Sequence, residues 1–464
     1  MAEHKSQYTG LLGWVDARMP TAMSEFKKHM SEYYAPKNFN FWYIFGGLAI
    51  VVLVIQIVSG IFLTMHYKPD AGLAFASVEY IMRDVPGGWF IRYMHSTGAS
   101  FFFIVVYLHM FRALLYGSYR RPRELLWIFG CLLFLMLMAE AFFGYLLPWG
   151  QMSYWGAQVI VNLFGAIPFI GPELALFIRG DYVVGDATLN RFFAFHVIAI
   201  PLVLLGLVVA HIIALHDVGS NNPDGVEIKA HTDAQGRPLD GVPFHPYYTV
   251  HDLYWLSIFL LAFFAVLFFW PEMGGYFLEW NNFIPADPLV TPSHIAPVWY
   301  FTPYYSILRA VTEQFMLVLA VAAIGMSALL VLTTSNSIIR GAIAAFSVLL
   351  VVLMLVPGVK LDPKFWGVVM MGASVMIFFA MPWLDHSPAR SMRYRPKWHF
   401  WMLIAWVVAF LILGYLGTQP PSPSKIIVAQ VLTLVYFAFF ALMPWWSRMG
   451  EFKPVPDRIT FVPH

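Results

Sequence analysis

The chain has 464 residues, 59% of them hydrophobic and only 12% charged, with a mean hydropathy of +0.67. So little ionisable surface excludes a water-soluble globular protein and places the chain in a bilayer, while the net charge of +2 gives no reason to expect a nucleic-acid partner. The single cysteine, Cys131, excludes an intrachain disulfide, a CxxCH haem attachment and a cysteine-ligated cluster.

Residues 1–40 are polar and Lys-bearing, with no apolar core followed by a small-residue cleavage site, so they read as a cytoplasmic segment and not as a secretory signal peptide. Ten apolar runs follow, at 41–66, 93–116, 125–146, 191–215, 251–270, 314–333, 338–358, 364–382, 399–417 and 427–446. Each suits a hydrocarbon layer of ~30 Å, which takes about 20 helical residues. The expected fold is therefore all-α and polytopic: a four-helix bundle over 41–216, a cytoplasmic linker at 217–250, and a helical domain over 251–464. Lys and Arg gather at 18–37, in GSYRRPRE (117–124) and in HSPARSMRYRPKWH (386–399). Ten spans put these stretches on one face with both termini, and the positive-inside rule makes that face cytoplasmic.

Within the bundle, the second span carries His95 and His109, 14 residues apart. Such a step returns within ~40° of the same face and climbs ~21 Å. The fourth span repeats the feature with His196 and His211, 15 apart, a net turn of ~60°. The first span has Gly46 and Gly60, and the third has Gly130 and Gly144, again 14 apart; with no side chain, glycine lets a large planar group lie against the backbone. The pattern predicts two non-covalent b haems, His95 and His196 ligating the outer iron and His109 and His211 the inner one. Two imidazoles saturate the iron, which suits electron transfer. Arg92, Arg112 and Arg191 lie close to these positions and could pair with haem propionates; as helix-end charges they could also simply set topology.

The loops narrow this further. GIFLTMHY (60–67), GYLLPWGQMSYWGAQVI (144–160), RFFAFH (191–196), HDVGSNNPDG (216–225), FHPYYTVHD (244–252), TPSHIAPVWYFTPYYSILRA (291–310) and RSMRYRP (390–396) together resemble the cytochrome b family of the cytochrome bc complex, respiratory complex III. The resemblance implies a bacterial inner-membrane enzyme subunit that oxidises quinol near the outer face. It would split the two electrons between a Rieske iron-sulfur protein and the haem pair, and reduce quinone near the inner face with proton translocation. A membrane-anchored cytochrome c, ubiquinol and ubiquinone, lipid and a second copy of the complex are the implied partners. By the same resemblance Tyr145, Gly156, Pro297, Trp299 and Tyr300 line the quinol-oxidation site, and His216, Ser220 and Asp252 contact the quinone being reduced. An imidazole and a carboxylate suit that reduction, which consumes two protons.

Three departures stand out. Where many members of the family read Pro-Glu-Trp-Tyr, this chain reads PVWY, and Val298 cannot accept a proton; Glu279, on the loop 271–312, is the candidate substitute. The 15-residue histidine step resembles the plastid branch, and the extra residue falls before Pro201, where a kink can absorb a changed register. About 50 further residues read as an inserted hairpin at 314–358, which preserves the inside-outside parity of the later spans. Two alternatives belong to other classes. A dihaem quinone-reactive anchor of another dehydrogenase needs neither aromatic loop, and a transporter should show polar groups along a midplane path.

Overall fold

The computed structural model of the protein describes residues 9–21, 24 and 32–459, so part of the basic stretch 18–37 lies outside the described residues. Ten of its helices are long and apolar enough to cross a membrane: Phe41–Thr64, Gly88–Tyr116, Glu124–Leu146, Asp186–Val218, Phe244–Phe269, Glu313–Thr333, Ser337–Leu355, Pro363–Leu384, Lys397–Thr418 and Pro423–Ala441. The chain is thus a multi-pass, all-α membrane protein. The last span stops five residues short of the predicted 446 because the chain turns at Leu442 and restarts as the short helix Met443–Trp446. Pro444 at the second position of that helix has no backbone N–H to continue the ladder.

The fourth span holds the most informative local feature. Between the helical stretches Asp186–Ala194 and Ile200–Val218, residues Phe195–Ala199 form a π-helical turn. Such a turn takes up one extra residue without rotating the rest of the helix. The 15 residues from His196 to His211 therefore turn like 14, and the expected offset of ~60° becomes the same ~40° that separates the histidines of the second span. The extra residue does fall before Pro201, as expected; the device is a π turn rather than a proline kink.

At one end of the molecule, polar side chains lock the connecting segments together. Strand Tyr34–Pro36 pairs antiparallel with Gly241–Pro243, and Asp240 beside it binds Lys37 at 2.8 Å and Arg458 at 2.6 Å. Burial opposes the charge on Asp240, but hydrogen bonds from Arg458 and Lys37 hold its carboxyl down at about 2. The three arginines of RSMRYRP are all engaged here. Arg390 meets Glu227, which also takes a two-pronged bond from Arg123 at 2.7 and 3.0 Å. Arg393 meets Asp224 at 2.7 Å, and Arg395 meets Asp385 at 2.6 Å. Tyr119 donates to the same Asp385 at 2.6 Å.

The opposite end carries the helices Gln151–Phe164 and Gly171–Arg179 and the loop between the fifth and sixth spans. The inserted pair Glu313–Thr333 and Ser337–Leu355 forms a hairpin, opened by Thr312 capping Phe315 N and turned by Asn336, whose side chain caps Ile338 N and Ile339 N. It packs on the body through Phe315, Met316, Leu319 and Met354 around Trp366.

The Arg395–Asp385 pair is fully buried, so Asp385→Ala leaves a charge and the Tyr119 hydroxyl without their partner. Thermal or denaturant unfolding of the detergent-solubilised protein should show a loss of about 3–5 kcal/mol; unchanged stability would mean that the arginine finds another acceptor.

Candidate functional site

The first four spans place His95, His109, His196 and His211 each on a glycine. A Cβ at Gly46 would lie 3.1 Å from His109 Cε1, one at Gly60 3.3 Å from His95 Cε1, and one at Gly130 3.4 Å from His211 Cε1. At Gly144 it would overlap the His196 ring outright. The four contacts sort the residues into an outer rung of Gly60, His95, Gly144 and His196, and an inner rung of Gly46, His109, Gly130 and His211. Across each rung the imidazoles face one another, with centroids 6.0 Å apart for His95 and His196 and 6.5 Å for His109 and His211.

That separation can be tested against a metal between them. Metal–imidazole bonds of about 2.0 Å, with each ring centre about 1.2 Å behind its nitrogen, put two opposed imidazole centroids about 6.4 Å apart. Both rungs fit. The rims also carry buried polar atoms without a hydrogen-bond partner among the described residues, including Gln56 Nε2 and Glu140 Oε2 at the outer rung and Arg112 Nε at the inner one. A planar group with a polar edge suits such a cradle.

The arginines divide. Arg92 is buried, lines the outer cavity and reaches Ser96 Oγ at 3.4 Å. Arg112 donates to His109 Nδ1 at 3.1 Å and lies over the Tyr43 ring. Arg191 is corrected: it turns away from the rung to bond the Phe177 carbonyl and cover the Phe177 ring, on the exposed side of its helix, and does not line the cavity.

The outer rung opens into the aromatic loops. One continuous cavity is lined by Gly60, Arg92, His95, Glu140, Gly144, Tyr145, His196, Val298 and Tyr300, among others. Tyr300 stacks on Phe103, centroids 3.9 Å apart and nearly parallel, and Trp299 Nε1 donates to Ser100 Oγ at 3.0 Å. A second, outward pocket is lined by Tyr276, Glu279, Pro297 and Trp299. Tyr145 Oη donates to Glu279 Oε2 at 2.8 Å and so joins the two spaces. Gly156 lines neither; a Cβ there would meet the Tyr145 ring at an ordinary 3.6 Å, so close approach does not demand glycine.

The two loops that wall these spaces are sewn together. Gln151 N donates to the Ile284 carbonyl at 2.9 Å, Ala286 N to the Trp149 carbonyl at 3.0 Å, and Ser153 N to Asn282 Oδ1 at 2.9 Å. Burial pushes the Glu279 carboxyl up to about 7, against the lowering effect of its backbone and Tyr145 hydrogen bonds.

At the inner end, Tyr33 stands edge-on to His216 at 4.8 Å and its hydroxyl lies 3.0 Å from Ser220 Oγ. Asp252, partly exposed, stands 3.7 Å from His251 Nδ1, while His251 Nε2 accepts from Trp255 at 3.1 Å. Sequence reasoning missed Tyr33, for which a coil residue far from His216 in the chain gives no signal. It also missed Glu140, although that is the only carboxylate inside the four predicted bundle spans and stands four residues before Gly144.

Two stacked rungs of paired histidines thus stand inside the bundle of a polytopic membrane protein. Comparisons with known proteins agree. A family described as cytochrome b/b6/petB matches residues 30–219, and one described as cytochrome b(C-terminal)/b6/petD matches 285–362 and 345–437. Cytochrome b of Allochromatium vinosum is 53% identical over 459 residues, 98% of this chain and 99% of that one. The protein named cytochrome b/c1 of Bradyrhizobium diazoefficiens is 40% identical and covers 97% of this chain over 56% of its own length. A solved structure titled hyperthermophilic respiratory Complex III superimposes with a TM-score of 0.76 at 35% identity, covering 94% of this chain and 98% of that one. The chain belongs to the cytochrome b family, haem b proteins that are subunits of respiratory complex III. End-to-end agreement with the Allochromatium protein leaves no room for a hairpin peculiar to this chain.

Gly144→Ala should displace the His196 ring and lower haem b per purified chain, read from the pyridine haemochrome spectrum. Gly206→Ala, where a Cβ meets nothing within 4 Å, should leave it unchanged.

Proposed function

We propose that this chain is the catalytic membrane subunit of a bacterial quinol–cytochrome c oxidoreductase, oxidising quinol at the outer end of the bundle and reducing quinone at the inner end, with net proton translocation. The observation that carries the reading is the seating of His95, His109, His196 and His211 each on one bundle glycine, at two heights, with ring separations that suit a metal between them. His95 and His196 would hold one haem b and His109 and His211 a second, non-covalently, with Arg92 and Arg112 placed for propionates. When bound, the two groups would supply one-electron redox chemistry, and two imidazole ligands would leave the iron no open position for oxygen.

The remaining work falls to the chain's own side chains. At the outer site Val298 and Tyr300 shape an apolar wall, and Phe103 fixes the Tyr300 ring from behind. Quinol gives up two protons on oxidation. Tyr145 faces the outer-rung cavity and Glu279 the outward pocket, so the pair offers a proton a route from one to the other. A carboxyl held near 7 accepts a proton at neutral pH and releases it again without a large penalty either way. Pro297 and Trp299 wall the outward pocket, where a Rieske iron-sulfur protein would dock. At the inner site His216 and Ser220 would bind one end of a quinone and Asp252 the other, delivering the protons that reduction consumes; Tyr33 holds Ser220 in place.

The name of the Bradyrhizobium relative joins b and c1 in one chain, which supports a membrane-anchored cytochrome c as a partner here. Ten spans among the described residues support both termini lying on one side, and the basic segments 117–124 and 386–399 support a cytoplasmic assignment for that side. The setting is the bacterial inner membrane, with lipid around the bundle and a second copy of the complex as dimer mate.

Haem extraction and redox titration of the purified complex should give two non-covalent b haems per chain with separable midpoints; one or none would overturn the reading. Glu279→Gln should lower quinol-oxidation turnover about a hundredfold and abolish the acid limb. With the glutamate in place, turnover rises as pH climbs through about 7, because the carboxyl must be ionised to accept a proton. Unchanged turnover and an unchanged acid limb would remove Glu279 from the mechanism.

A further inference from the structure

Glu140 is the only carboxylate inside the four predicted bundle spans, and the proposed reaction does not use it. A carboxylate within a membrane span is expensive, and where one persists it has a partner or a task. Its place on the third span is fixed by Gly144, one helical turn further on, so that both face the fourth span. Gly144 lies under the His196 ring, while His196 Nδ1 lies 2.9 Å from the Glu140 main-chain oxygen and 3.0 Å from its Oε1. The other carboxylate oxygen, Oε2, is buried without a hydrogen-bond partner among the described residues, in a side chain that lines the outer cavity.

No other bundle histidine is held this way. His95 at the same rung has a neutral neighbour, Ser59 Oγ, 2.9 Å from its Nδ1. At the inner rung His109 Nδ1 meets the Arg112 cation. Arg92 lines the outer cavity too, but its guanidinium turns to Ser96. The rungs are thus electrostatically unlike, with a carboxylate on one ligand of the outer rung and a guanidinium on one ligand of the inner. An imidazole that shares its second N–H with a carboxylate is fixed in tautomer and orientation and becomes a stronger donor to a metal, which favours the oxidised metal.

We infer that Glu140 is a positioning residue of the outer rung, which orients His196 through Nδ1 and lowers the reduction potential of the haem held there. The inference rests on the two-haem reading of the rungs. Glu140 touches no substrate and transfers no proton; its carboxylate acts through its charge 3.0 Å from Nδ1, whose hydrogen bond goes to the Glu140 main-chain oxygen.

The test is a redox titration of the b haems in the whole complex, for the native chain, Glu140→Gln and Glu140→Asp. Glutamine keeps an acceptor for Nδ1 and removes the charge, so one of the two components should move to more positive potential while the other stays, with two haems per chain throughout. Its low-spin ferric EPR signal should shift with it. Aspartate, drawn back by one methylene, should move the same component in the same direction by less. Two haems with unchanged potentials in both variants would overturn the inference, as would equal shifts of both components. Should the glutamine variant fail to assemble, the aspartate variant decides alone: a selective upward shift supports the role and an unmoved potential ends it. Fewer than two haems in the native chain would instead overturn the two-haem reading beneath it.

Discussion

The architecture depends on one constraint, the close approach of four imidazole rings to four glycine backbones across a bundle of helices in a hydrocarbon solvent. Each contact uses the missing Cβ on one helix to admit a ring from its neighbour, so the first span is tied to the second and the third to the fourth. In a bilayer, packing of apolar faces gives little preference for one register over another, and small residues decide how near two helices come. The glycines therefore set the spacing and the histidines set the heights. Everything beyond the bundle, from the sewn outer loops to the ion pairs at the opposite end, is arranged around two levels fixed in this way.

Much of this was legible in the chain itself. Hydropathy gave ten spans, because a membrane helix must satisfy its backbone internally and must be apolar for its whole length. The two-level pattern was legible because a step of 14 nearly closes four helical turns. The step of 15 was the ambiguous datum. Periodicity alone made His196 and His211 drift from a common face, and only the π turn at Phe195–Ala199 removes the conflict. A single inserted residue leaves no compositional mark, so its location could be bracketed but not its conformation.

What was not legible depended on side chains crossing long sequence separations. Arg191 lies five residues from His196 in sequence, yet its guanidinium follows the carbonyl of Phe177 and leaves the rung. Tyr33 reaches Ser220 across 187 residues, a meeting no local rule foretells. Asp224, Glu227 and Asp385 neutralise the arginines of RSMRYRP one by one. That stretch is basic in sequence and paired in space, so its influence on topology would be exerted as the chain inserts, before these partners close around it.

At the outer end, on the proposed reading, Glu279 would take the part of a proton acceptor that Val298 cannot play. Valine at position 298 leaves the PVWY segment with no proton acceptor, and the side chain is buried as an apolar wall. The loop supplies Glu279 from another direction, and the third span supplies Tyr145 to meet it. The carboxyl stands on the outward pocket while the phenol that binds it stands on the outer-rung cavity, so a hydrogen bond joins the two spaces. On the proposed reaction such a contact would pass a proton while keeping water out, which a site that separates two electrons requires. Glu140 stands on the same cavity from the other side, against a histidine instead of a tyrosine. On the proposed reaction one carboxylate would stand on the proton's way out, while the other stands beside an imidazole of the outer rung. Their different neighbours, not their shared chemistry, assign them different work.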